Sequence, residues 1–187
     1  HLSDSCIKIA FPYIYNAALW PIIPPAIIDN FIGDYKHESN YINFEPIQKL
    51  KQKGYSIEKV IKLYNNNEID FDYENRYKIS LKLLKNKEKE CHIIVSDFIE
   101  ENIKKHKLFY TQNHPAMCVF IHCINQILKK LNNDNQLDLF KYGNKPPGFP
   151  GHWPSTKYDI DYWKFEYDEP VNNEFYIDHI CKIYERY

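Results

Sequence analysis

The stretch HIIVSDFIEENIKKHKLFYTQNHPAM, residues 92–117, decides the fold class. It holds two short runs of apolar, β-branched and aromatic side chains, residues 92–95 and 107–111, which read as buried strands. Each run hands over to a helical pattern. Ser96 and Asp97 open DFIEENIKK, where Asp97 with Glu100 supplies the polar part of a capping box. Asn113, His114 and Pro115 open the longest helix pattern, expected over 115–131, with Asn113 a good N-cap and Pro115 in the first turn. Along it Met117, Ile121, Ile124, Leu128 and Leu131 recur at helical spacing.

Outward from this stretch the chain is mainly helical. CIKIAFPYIY, residues 6–15, alternates as a strand does, and WPIIPPAI after it reads as an extended, aromatic-walled loop. A helix follows from Glu45 with Pro46 in its first turn and Gly54 as its stop. Ser56 then caps SIEKVIKLY, whose apolar positions 57, 60, 61 and 64 share a face. A helix over about 73–90 carries Tyr77, Leu81 and Leu84 inward and ends in KNKEKE, read as a solvated charge run. Residues 141–170 show no helix pattern, and GNKPPGFPGHWP reads as a surface connector. A last helix, about 172–186, buries Tyr176, Ile180, Ile183 and Tyr184. The expected architecture is α/β and predominantly helical, a small central sheet flanked by helices, in a single domain over 1–187.

Composition narrows function. Lys and Arg number 24 against 25 Asp and Glu, so no global charge draws the chain to nucleic acid. Only Arg76 and Arg186 are arginines, which argues further against bidentate phosphate or base recognition. Five irregularly spaced cysteines without a CxxC fit reduced thiols in the cytoplasm. No run of apolar residues is long enough to span a membrane.

If both strands lie in one sheet, the two strand-to-helix junctions meet at one crevice, with Ser96, Asp97 and His114 as neighbours. A histidine can act as general base, a carboxylate can fix its tautomer, and helix starts offer N–H groups to an oxyanion or phosphate. The plainer alternative is that Asp97 and Asn113 only cap helices. Lys104, Lys105, His106 and Lys107 suit either a phosphorylated cofactor or a solvated basic turn. Cys118, His122 and Cys123 offer metal-ligand types, yet thiols on an apolar helix are more often core, and no metal is assigned. P-loop, GxGxxG and GxSxG signatures are absent.

Taken in order, FPYIYNAALWP, KQKGYSIEKVIKLY, VSDFIEENIKKHKLFYTQNHPAMCVFIHCINQIL, PPGFPGHWP and EFYIDHICKIYERY resemble the WcbI-type polysaccharide-biosynthesis proteins. The resemblance implies a coenzyme A-binding protein that O-acetylates a capsular or other surface glycan. Family members carry a Gly-Asn-Cys-Gln motif after their first strand, which nothing here matches, so the chain resembles the later part of such a protein. Cys6 lacks the flanking residues, and the role is not carried over to it. What carries over is Ser96-Asp97 and Asn113-His114-Pro115. On that reading His114 is the base, Asp97 its orienter and Ser96 a hydroxyl donor, while Asn113, Lys105 and Lys107 hold coenzyme A or acetyl-CoA. The expected partners are the glycan acceptor and other glycan-assembly enzymes. A sugar-ester hydrolase using Ser96, His114 and Asp97, or a non-catalytic binding module, stand as alternatives.

Overall fold

The computed structural model describes residues 6–20, 45–141 and 153–186. Seven helices and one hairpin are found there: α1 Glu45–Gln52, α2 Ile57–Asn65, α3 Tyr73–Glu88, α4 Ser96–Asn102, β1 Phe109–Thr111, β2 His114–Pro115, α5 Met117–Lys130, α6 Lys157–Trp163 and α7 Asn173–Arg186. The architecture is α/β and predominantly helical, with the described sheet reduced to the antiparallel pair β1–β2. Parts of the WPIIPPAI and GNKPPGFPGHWP segments lie outside the described residues.

Helices α1 and α2 form where their local signals stand, whereas α4 starts after Val95 with no side-chain cap from Asp97. Gly54 adopts the left-handed φ of 78° and turns the chain out of α1, its N–H donating to the Lys51 carbonyl. Ser56 caps α2 by accepting from the Lys59 N–H. The apolar faces of α1 and α2 lie against α7, where Ile47, Val60, Tyr64, Tyr176, Ile180 and Ile183 are buried together. Burying side chains of this size stabilises by about 1.5–3 kcal/mol each. Among the described residues no helix is long and apolar enough to cross a membrane.

Several expectations are corrected. Residues 7–15 form no strand and join no ladder among the described residues. They meet the next segment where the His92 N–H donates to the Ala10 carbonyl and the Ala10 N–H donates to the His92 ring. Residues 92–95 are no strand either, because side chains take the backbone donors of Ile94 and Val95. The Ile94 N–H goes to Gln126 Oε1, and those of Val95 and Ser96 go to Glu88 Oε1. The second expected strand is shorter, Phe109–Thr111, and folds straight back through Gln112 and Asn113 onto His114–Pro115. Pro115 thus ends a hairpin, and α5 starts at Met117 with Ala116 as its N-cap. Ile124 of α5 and Leu131, its C-cap, face solvent, while Cys118, Val119, Ile121 and Cys123 are its buried residues.

Helix α3 buries an unexpected stripe. Tyr73, Arg76, Ser80, Leu84 and Glu88 point inward, so a stripe that includes three polar groups packs where Leu81 and Tyr77 were expected to dominate. Arg76 Nε and Nη2 donate to the Ala17 carbonyl, and Ser80 Oγ accepts from the Ala17 N–H. Residues 141–170 also hold a helix, α6, started by a full capping box between Thr156 and Asp159.

Asp159 does more than cap. Its carboxylate accepts from the Thr156 N–H and hydroxyl, the Tyr73 hydroxyl and the Trp20 N–H, tying α6 to α3 and to residues 16–20. Burial pushes its carboxyl up to about 6, against those hydrogen bonds, which pull it down. The folded state therefore holds this proton more tightly than the unfolded chain does. Stability contributed at low pH is lost as pH rises from 3.8 to about 6. The difference amounts to about 3 kcal/mol. Asp159→Asn should flatten the slope of denaturant stability against pH across that window, and an unchanged slope would place the titration on another group.

Candidate functional site

The hairpin β1–β2 sets two residues inward and two outward. Thr111 and Gln112 are buried, Asn113 is half-buried and His114 is exposed. Gln112 anchors the turn: its Nε2 donates to the Leu19 and Trp20 carbonyls, and its Oε1 accepts from the Tyr15 hydroxyl. Its backbone carbonyl also accepts from the Asn16 N–H. A residue of the turn is thereby locked to a segment more than 90 positions earlier. The Ala116 N–H donates back to the Leu108 carbonyl and closes the base of the hairpin.

Across the turn, the buried Thr111 Oγ1 lies 3.0 Å from Asn113 Oδ1 and 2.5 Å from His114 Nδ1. Partial burial of the imidazole pushes the His114 pKa below its ordinary value, so the ring is neutral at neutral pH. A neutral imidazole at the surface of a pinned turn can take a proton from a ligand hydroxyl.

Ser96 and Asp97 are placed differently. Ser96 is buried and its hydroxyl donates to Glu88 Oε2 at 2.5 Å, while Glu88 Oε1 takes the Val95 and Ser96 N–H groups at 2.7 and 2.8 Å. Glu88 so occupies the start of α4, where a carboxylate complements the helix dipole. Asp97 is 75% exposed in its side chain and sits 3.7 Å from Lys85 Nζ, which also pairs with Glu100. Hydrogen bonds of Ser96 and Asp97 therefore do not run to His114. The structure groups Asn113 and His114 through Thr111, and Ser96 with Glu88.

The basic residues divide too. Lys107 forms an ion pair with both oxygens of Glu169, at 2.6 and 2.8 Å, with both side chains largely buried. Its charge is balanced inside the fold. Lys105, just past the end of α4, is exposed and remains available to an anion. Burial pushes the Cys118 and Cys123 thiols up to about 11, which keeps both protonated and poorly nucleophilic. His122 turns to the Ile94 carbonyl and stacks on Phe98 at 4.4 Å.

Sequence reasoning missed Thr111, Gln112, Glu88, Asp159 and Glu169. Thr156 followed three residues later by Asp159 was a readable capping signal. For Glu88, inside a lysine-rich run, no local signal existed.

A family described as Polysaccharide biosynthesis enzyme WcbI has a model that matches residues 1–136. That span contains the hairpin, Glu88, Lys105 and the whole of α5. No curated protein and no solved structure matches the chain.

Proposed function

The chain belongs to the WcbI family of polysaccharide biosynthesis enzymes, and we propose that it transfers the acetyl group of acetyl-CoA to a hydroxyl of a surface glycan in the cytoplasm, releasing coenzyme A. The observation that carries the reading is His114: an exposed, neutral imidazole on a hairpin that Gln112 pins to the core. His114 takes the proton from the sugar hydroxyl as its oxygen bonds to the thioester carbonyl carbon. The carbon–sulfur bond then breaks, and the imidazolium returns the proton to the departing thiolate. Asn113 stands beside this imidazole, and Lys105 offers a cation to the phosphates of coenzyme A. Asp97, beside Lys85, and Ser96, held by Glu88, flank the start of α4 and take no part in this proton path.

Two measurements test the reading. Calorimetry with coenzyme A should show saturable heat, and radiolabelled acetyl-CoA should place label in a de-O-acetylated capsular glycan. No heat and no thermal shift with coenzyme A would sink it. Release of free acetate from an acetylated glycan without coenzyme A would point to an esterase instead.

A further inference from the structure

The hydrogen bonds of the hairpin fix which way the bond at His114 Nδ1 runs. The Thr111 hydroxyl has one hydrogen, and it is donated to Asn113 Oδ1 at 3.0 Å. Towards His114 Nδ1, 2.5 Å away, the same oxygen can then act only as acceptor. A neutral imidazole that donates from Nδ1 carries its single hydrogen there and its lone pair on Nε2. Free neutral imidazole side chains in water favour the opposite form, with the hydrogen on Nε2. We propose that Asn113 and Thr111 act as positioning residues that hold His114 in the Nδ1–H tautomer, making Nε2 the atom that accepts a proton.

The order of the chain matters. Asn113 presents an oxygen, Thr111 relays, and His114 donates, so both bonds of the relay point one way. Thr111 is buried and Gln112 next to it is fastened to residues 15–20, so the relay sits on backbone that cannot easily rotate away. A carboxylate does this orienting work in many histidine sites; here a hydroxyl and an amide do it without adding charge. The consequence for chemistry rests on His114 being the base proposed above, whereas the tautomer itself is a property of the free protein.

Nitrogen-15 NMR of the imidazole rings decides it, with the His114 signals assigned by their loss in His114→Ala. In the unmodified protein, well above the titration of the ring, Nδ1 should show a pyrrole-type shift and Nε2 a pyridine-type shift. Thr111→Val keeps the shape but removes the acceptor, and the signals should move toward the Nε2–H form, while Thr111→Ser should restore the original pattern. Asn113→Ala should shift the same way, because the Thr111 hydrogen is then released to point at Nδ1. An Nε2–H spectrum in the unmodified protein, or a Thr111→Val spectrum identical to it, overturns the proposal. In the transfer assay Thr111→Val should lower kcat about tenfold with KM little changed, less than the roughly 10²–10⁴-fold that outright loss of a general base costs. An Nδ1–H spectrum together with no coenzyme A binding would leave the tautomer standing and refute only the acetyl-transfer reading.

Discussion

Glu88→Ala should destabilise the protein by about 3–5 kcal/mol, the range for removing a buried charged acceptor and stranding its donors. Glu88 is only 5% exposed, and three donors converge on it: the Val95 N–H, the Ser96 N–H and the Ser96 hydroxyl. None has a helical partner, because all three sit at the start of α4. Alanine leaves them facing a cavity with no acceptor in it. Domains of this size are stable by about 5–15 kcal/mol, so the loss is a large fraction of the total. The melting temperature should fall by about 10 °C. Glu88→Gln should fall between, since an amide oxygen still accepts from both N–H groups. Thermal and urea denaturation read this directly. The charge-run reading of KNKEKE instead predicts a surface substitution, within about 0.5 kcal/mol of the parent. A change that small would show that the carboxylate is not inside.

His114→Ala should lower acetyl transfer by about 10²–10⁴-fold, the span associated with losing a general base. The fold should survive, because the ring is exposed and the turn is held by Gln112 rather than by His114. Coenzyme A affinity should stay near that of the parent, which separates loss of chemistry from loss of binding. The pH profile adds a signature. Partial burial holds the His114 pKa below 6.5, so the neutral, basic form persists to lower pH than in an ordinary histidine. The acid limb of kcat/KM should therefore fall below that value. Linkage has the same sign: protonation is disfavoured in the folded state, so stability present above the unfolded imidazole pKa is lost as pH falls through the folded one. Retention of a third or more of the parental rate in His114→Ala would remove His114 from the mechanism.

Fold and site were legible to different depths. Helices α1, α2 and α7 were readable because their apolar residues repeat with the helical period and their ends carry Gly54 and Ser56. Their inward faces, Val60 and Tyr64 or Tyr176 and Ile180, followed from the same pattern. In α3 the same reasoning failed for a physical reason: the inward stripe includes Arg76, Ser80 and Glu88, which hydropathy counts as surface. Such groups are tolerated inside only because distant partners satisfy them, and a hydropathy window sees no partners.

His114 was identifiable as a candidate from its residue type and its place beside Asn113 and Pro115. What surrounds it was not. An aromatic run before a helix pattern suits a strand in a sheet and a short hairpin equally, since local preference does not name the strand that pairs with it. Periodicity and residue type were enough for a helical α/β chain with one histidine between an aromatic run and a long helix. It took the packed chain to place this histidine on a hairpin locked by Gln112 to residues 19 and 20, with Thr111 at its Nδ1. Likewise packing alone paired Lys107 with Glu169 and brought Glu88 to Ser96. Those bonds join groups that chain order does not make neighbours, and their value comes from burial, which appears only once the chain has packed.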